Sequence, residues 1–89
     1  MPDETPEARL KRLRLRSMRR GIKEMDLILS RFADAELSGM DAASLALYDR
    51  LLEENDHDLY AWVAGQVPAP AHYDALVAHI ARVSEADRF

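Results

Sequence analysis

The spacing of apolar residues along this 89-residue chain is the strongest constraint on its fold. In five separate segments apolar residues recur at intervals of three and four, which is the spacing of one face of an α-helix. No segment of useful length alternates apolar and polar residues as a half-buried strand does. Glycine, proline or clustered polar residues separate the five segments. The pattern therefore predicts an all-α protein, a small five-helix bundle in which residues 1–89 form a single domain.

The breaks between the segments predict where the helices begin and end. The residues expected at helix ends or caps are Gly21, Gly39, Asp41 or Ser44, Asp56 or Asp58, and Gly65. The second helix, from Ile22 to about Leu37, is the longest, and Leu27 lies off its apolar stripe, which predicts packing on more than one side. Residues 1–6 are expected to be frayed and residues 84–89 to form a flexible tail.

Composition narrows the class of protein. The absence of cysteine excludes disulfides, thiolate metal sites and cysteine nucleophiles. No apolar run approaches the roughly 18 to 20 residues that a membrane span requires. A mitochondrial presequence avoids acids, whereas Asp3, Glu4 and Glu7 precede the arginine-rich residues 9–20. We therefore expect a bacterial cytoplasmic protein.

The charge of the chain is divided unevenly between its two parts. Residues 1–24 hold eight Lys or Arg and four Asp or Glu, a net charge of +4, whereas residues 25–89 hold four and twelve, a net charge of −8. On the first predicted helix, residues 7–18, one side carries an arginine stripe, which continues past the helix end and consists of Arg9, Arg12, Arg16 and Arg19. The stripe is interpreted either as a solvated face or as a face that binds an acidic partner.

Three candidate sites for metal or catalytic chemistry are weak. His72 and His79, seven residues apart, would lie about 10.5 Å from each other along a helix, too far for one metal ion. Residues 55–58 (NDHD) lack the central glycine and terminal glutamate of a calcium loop, so helix capping explains them better. We find no glycine-rich phosphate loop and no nucleophile with an obvious base. The sequence predicts no enzyme and no metal site.

The joint between the first two predicted helices contains Arg20, Gly21 and Glu24. If Gly21 caps the second helix, Glu24 lies three residues further and completes a capping box, a purely structural role. Alternatively, Arg20 and Glu24, one helical turn apart, form a charge pair that enters a polar pocket of a partner protein. The spacing leaves both interpretations open.

Two motifs together resemble a known family. Residues 19–27 (RRGIKEMDL), followed by residues 51–63 (LLEENDHDLYAWV), resemble the succinate dehydrogenase assembly factor 2 family, whose members carry an RGxxE signature, then a leucine pair, a D-x-D-L step and a tryptophan. His57 departs from the proline expected between the two aspartates. The resemblance implies a helical chaperone that binds the flavoprotein subunit of succinate dehydrogenase, and in bacteria of fumarate reductase. It also implies that the protein promotes covalent attachment of FAD to that subunit without stably binding the flavin itself.

The resemblance assigns the signature positions to Arg20, Gly21 and Glu24, with Gly21 the most sensitive. A side chain at Gly21 is expected to strain the turn and to stand between two close backbones. The full predicted partner-binding set is Arg16, Arg19, Arg20, Gly21, Lys23 and Glu24.

The first helix is further expected to approach an acidic or dicarboxylate-binding part of the partner. Two rival functions remain: a small antitoxin-like or regulatory protein-binding module, and nucleic-acid binding through the arginine stripe. The second rests on charge alone, because residues 9–20 contain no aromatic residue for base stacking.

Overall fold

The computed structural model describes residues 4–86, in which the chain forms five α-helices and no strand. The helices are α1 Pro6–Ser17, α2 Lys23–Glu36, α3 Ala42–Leu51, α4 Asp56–Val63 and α5 Asp74–Ala86, with 3₁₀ turns at Leu37–Gly39 and Ala71–Tyr73. The predicted all-α five-helix bundle is thus confirmed. No helix in the described part is long and apolar enough to cross a membrane.

Side-chain caps fix three of the helix starts. Thr5 accepts a hydrogen bond from the Ala8 backbone N–H and begins α1, and Asp41 accepts one from Ser44 and begins α3, as predicted. Asn55 begins α4 by accepting from the His57 backbone N–H, so the prediction that Asp56 or Asp58 caps this helix is wrong.

Described residues near both chain ends lie in or beside helices. Glu4 forms an ion pair with Arg12, and Thr5 caps α1, whereas residues 1–6 were expected to be frayed. At the other end, α5 extends to Ala86, which includes the first residues of the predicted tail. Residues 1–3 and 87–89 lie outside the described residues.

The core contains the apolar stripes of all five helices. Helix α2 lies at its centre and packs against α1, α4 and α5. The largest fully buried side chains include Leu13, Met25, Phe32, Tyr48 and Ile80. The stripes predicted for α2, α3 and α5 are buried in the main, although Ala35 on α2 is exposed. Helix α2 packs on more than one side, as expected, but Leu27, the off-stripe residue from which this was inferred, is 50% exposed.

A buried hydrogen bond joins α1 to α3. The hydroxyls of Ser17 and Tyr48 are 2.6 Å apart, and Ser17 also donates to the Leu13 carbonyl at 2.7 Å. Burial raises the pKa of Tyr48 to about 12, against the opposing effects of the Ser17 hydrogen bond and the nearby Arg20 charge. The contact fixes the end of α1 on the core, one turn before the joint with α2.

Tyr48 gives the fold an expected sensitivity to alkaline pH. Below pH 10 the tyrosine is neutral in both states, but between about pH 10 and 12 it ionises only in the unfolded state. The free energy of unfolding should therefore fall through this window, by about 2–3 kcal/mol in all. Urea unfolding at several pH values measures the loss, and Tyr48→Phe should reduce it. Tyr73, whose pKa burial also raises, should account for part of the remainder. An identical pH profile for Tyr48→Phe would contradict the assignment.

Candidate functional site

The joint comprises residues 18–22, between the end of α1 and the start of α2. Arg19, not Gly21, adopts the left-handed conformation, with φ 58°, and its backbone N–H donates to Asp26 at 2.8 Å. Ile22 is the N-cap of α2 and its side chain makes no capping hydrogen bond. Both predicted conformational roles of Gly21, as the left-handed residue after α1 and as the cap of α2, are therefore wrong.

Asp56, the first residue of α4, bridges the joint to the other half of the bundle. Its Oδ1 accepts from Arg20 Nε at 2.8 Å, and its Oδ2 accepts from the Gly21 backbone N–H at 2.6 Å. The side chains of Arg20 and Asp56 are only 13% and 17% exposed. We refer to these contacts among Arg20, Gly21 and Asp56 as the Asp56 bridge.

The remaining donors of Arg20 are also used within the chain. Its Nη1 donates to the Arg16 carbonyl at 3.0 Å, and its Nη2 donates to the Leu52 carbonyl at 3.1 Å. The planar guanidinium thus ties the end of α1 to the ends of α3 and α4. Arg20 consequently holds the joint in place and does not extend into solvent.

The Asp56 bridge explains the glycine. A Cβ atom built on Gly21 would lie 3.0 Å from Asp56 Oδ2, closer than most side chains tolerate. A side chain at Gly21 was expected to strain the turn and to collide with a second backbone. The structure instead shows a carboxylate drawn close by the Gly21 N–H. Sequence reasoning missed Asp56 as a site residue, although the D-x-D-L step contained the signal, because the step was assigned to capping.

Glu24 lies on the exposed side of α2, in its first turn. Because Ile22 is the cap, Glu24 occupies the second helical position and cannot complete a capping box with Gly21. Within residues 4–86 it makes no hydrogen bond or ion pair with Arg20, which is bonded to Asp56 instead, so the two side chains do not contact each other in the chain by itself. Arg20 points inward and Glu24 outward.

The arginine stripe faces α3 of the same chain. Arg12 pairs with Glu4 at 2.7 Å and with Asp49 at 2.9 Å, and Arg16 pairs with Asp49 and, at 3.2 Å, with Glu53. The hydrogen bond from Arg12 and the charges of both arginines lower the pKa of Asp49. Much of the stripe is therefore neutralised internally, and the acid that it meets belongs to the chain itself.

The six predicted partner-binding residues divide into two groups. Arg19, Lys23 and Glu24 are exposed, as is the backbone of Gly21, whereas Arg16 and Arg20 are half-buried and bonded within the chain.

The histidines do not meet: His79 lies 2.6 Å from Glu36, and His72 lies beside Tyr73. Among the described residues, no three potential ligands are grouped for a metal ion.

Comparison with known proteins identifies the family. A family model described as "Flavinator of succinate dehydrogenase" (Sdh5) matches residues 11–84, which include the joint and the Asp56 bridge. The chain belongs to this family. The resemblance inferred from residues 19–27 and 51–63 is confirmed, and the Sdh5 match extends it in both directions.

Three curated relatives of this chain are named as assembly factors. It is 39% identical over 95 residues to succinate dehydrogenase assembly factor 2-B, mitochondrial, of Drosophila mojavensis, covering 99% of the chain and 60% of the relative. The 2-A protein of the same fly is 43% identical over 75 residues, covering 82% and 48%. The protein of Aspergillus flavus is 51% identical over 57 residues, covering 64% and 20%. The chain thus spans at most about 60% of the length of these relatives.

The expected bacterial cytoplasmic location is wrong on this comparison, because these relatives are named mitochondrial. The acids before the arginine stripe were interpreted as evidence against mitochondrial targeting. One of them, Glu4, pairs with Arg12 in the folded bundle. Its presence therefore reflects the fold and does not bear on targeting.

Proposed function

We propose that this protein is an assembly factor that binds the flavoprotein subunit of succinate dehydrogenase and promotes covalent attachment of FAD to it. The observation that carries the proposal is the family match over residues 11–84, within which the Asp56 bridge gives Arg20 and Gly21 a defined geometry. The curated relatives are named as succinate dehydrogenase assembly factors, in agreement with this assignment.

In this proposal the chain acts by binding and not as an enzyme. The Asp56 bridge fixes the joint, so that the exposed residues Arg19, Lys23 and Glu24 meet the partner from a rigid support. Preferential binding to one conformation of the flavoprotein raises the population of that conformation. The flavin and the flavoprotein supply the covalent chemistry. We further propose that the chain does not hold FAD stably; Arg20 and the Gly21 N–H, which are bonded to Asp56, are not free to bind it.

Reconstitution with purified components tests the proposal. The flavoprotein subunit of succinate dehydrogenase, prepared without covalent flavin, is incubated with FAD and with or without this protein. Covalent flavin is then measured by fluorescence of the denatured subunit. The protein should raise the yield and should co-elute with the subunit in gel filtration. An unchanged yield would overturn the proposal. The same assay with the fumarate reductase flavoprotein tests whether that subunit is a second client.

Glu24 is expected to matter for activity and not for folding. Because its side chain is exposed and makes no hydrogen bond or ion pair within residues 4–86, Glu24→Ala should change the free energy of unfolding by about 0.5 kcal/mol or less. Covalent flavin in the reconstitution should nevertheless fall several-fold. The matched control is Asp34→Ala, an exposed acid further along α2. Equal flavin yields for the two variants would remove Glu24 from the partner-binding set.

A further inference from the structure

Helix α1 has three faces with different surroundings. One face is buried in the core, and a second carries Arg9, Arg12 and Arg16 toward the acids of the chain itself. The third, which we call the outer face, is defined by three- and four-residue spacing and consists of Lys11, Arg14, Leu15 and Met18. Met18 directly follows α1 and is also the first residue of the joint.

All four residues of the outer face are exposed. Leu15 is 60% exposed and Met18 is 43% exposed, and they are two of only four large apolar side chains exposed to this degree in the described part of the chain. A third of these, Leu27, lies on α2, which packs against α1. Lys11 and Arg14 form no ion pair within residues 4–86, in contrast to Arg12 and Arg16. Within α1, the cations available to an external partner are thus on the outer face.

We infer that α1 contacts an acidic, partly apolar protein surface through its outer face and not through the internally paired Arg9, Arg12 and Arg16. The inference rests on the proposed function, in which the partner is the flavoprotein subunit. The exposed side chains of Leu15 and Met18 supply apolar contact. Lys11 and Arg14, which lie beside them, favour a partner surface with acidic residues around its apolar patch. Methionine and arginine are both enriched at protein interfaces. The outer face would thereby extend the partner contact along α1 from the joint.

The outer face is continuous with the joint. Met18 lines an open depression of about 260 Å³ whose other lining residues are Arg16, Arg19, Arg20, Gly21 and Asp56. A partner that contacts the exposed backbone of Gly21 would therefore also meet Met18. The cations Arg19 and Lys23, exposed on either side of Gly21, extend the same positive charge toward α2.

A protein partner fits the outer face better than a membrane or a nucleic acid does. The face has two large apolar side chains on a helix of 12 residues, a small area for insertion into lipid. It has no aromatic residue on which a base would stack.

A pair of charge reversals with the same net charge tests the inference. Lys11→Glu/Arg14→Glu alters the outer face, and Arg50→Glu/Arg82→Glu alters two exposed cations on α3 and α5. Affinity for the flavoprotein subunit is measured by calorimetry at two salt concentrations, and thermal unfolding is measured for each variant. The outer-face variant should bind on the order of tenfold more weakly with a smaller salt dependence, and the control less than about twofold more weakly. Unfolding midpoints should be similar.

Two further arms separate the outcomes. Leu15→Ser/Met18→Ser should also weaken binding, but without changing its salt dependence, because it removes no charge. Equal losses for the two charge-reversal variants would overturn the inference, as would full binding by the outer-face variant, while the proposed function would stand. If the wild-type protein failed to bind the subunit, the proposed function would fail as well. The inference would also be overturned if the wild-type protein bound anionic phospholipid vesicles or RNA and Lys11→Glu/Arg14→Glu abolished that binding.

Discussion

Asp56→Ala is expected to lower the free energy of unfolding by about 2–3 kcal/mol and to remove most of the flavinylation activity. The substitution leaves the Arg20 guanidinium, whose side chain is 13% exposed, without its carboxylate, and it leaves the Gly21 N–H without its acceptor. Urea unfolding measures the stability. Covalent flavin is measured at a temperature at which circular dichroism shows the variant to be folded, so that loss of activity reports the geometry of the joint.

Asp58→Ala is the matched control for this prediction. Asp58 lies in the same first turn of α4, so both substitutions remove a carboxylate near the positive end of the helix dipole, but Asp58 is exposed. The losses of stability and of flavinylation for Asp56→Asn should lie between those for Asp56→Ala and Asp58→Ala. The amide keeps an acceptor for the Gly21 N–H but loses the charge that pairs with Arg20. If Asp58→Ala cost as much as Asp56→Ala in both assays, the Asp56 bridge would have no special role.

The core was predictable because it depends on local periodicity. Apolar residues at three- and four-residue spacing, such as Leu45 and Tyr48 on α3 or Leu76 and Ile80 on α5, are buried. Helix ends were predictable where one residue has one strong preference. Gly65 ends α4 with a φ of 77°, and Asp41 caps α3. Leu27 shows the limit, because an apolar residue off the stripe is equally compatible with a second packed side and with exposure.

The joint was not predictable because its contacts are long-range. Asp56 is 36 residues from Arg20, and nothing in the spacing of residues 20–24 indicates which acid the arginine will meet. The local alternative, a capping box between Gly21 and Glu24, satisfied every short-range preference and was wrong. The second motif, residues 51–63, contained the missing acid. It identified the family without revealing that one of its aspartates contacts the first motif.

The arginine stripe illustrates a related limit. Its periodicity correctly placed Arg9, Arg12 and Arg16 on one side of α1, but periodicity does not reveal what lies opposite. Asp49 of α3 lies there, and it belongs to the acidic part of the chain whose net charge contrasts with that of the first 24 residues. At this face the opposite charges of the two parts therefore pair with each other within the folded chain.

Gly21→Arg is expected to abolish flavinylation while the helices persist. The Cβ atom alone would lie 3.0 Å from Asp56 Oδ2, and the added guanidinium would compete with Arg20 for the same carboxylate. Gly39→Arg is the matched control, because a Cβ at Gly39 has no neighbour within 4 Å. Circular dichroism should show helical content close to that of the wild-type protein for both variants. Covalent flavin should be lost only for Gly21→Arg, and equal losses would contradict a site-specific role.

A double-mutant cycle separates the steric role of Gly21 from any effect of the partner. Gly21→Ala should cost about 1 kcal/mol in the wild-type background, because Asp56 must shift by a few tenths of an ångström and its hydrogen bond to the Gly21 N–H lengthens. In the Asp56→Ala background the atom that the Cβ would meet is gone. The same substitution should then be neutral or slightly stabilising, since alanine also restricts the unfolded chain. A cost that is unchanged between the two backgrounds would show that the close approach of Asp56 is not what requires glycine.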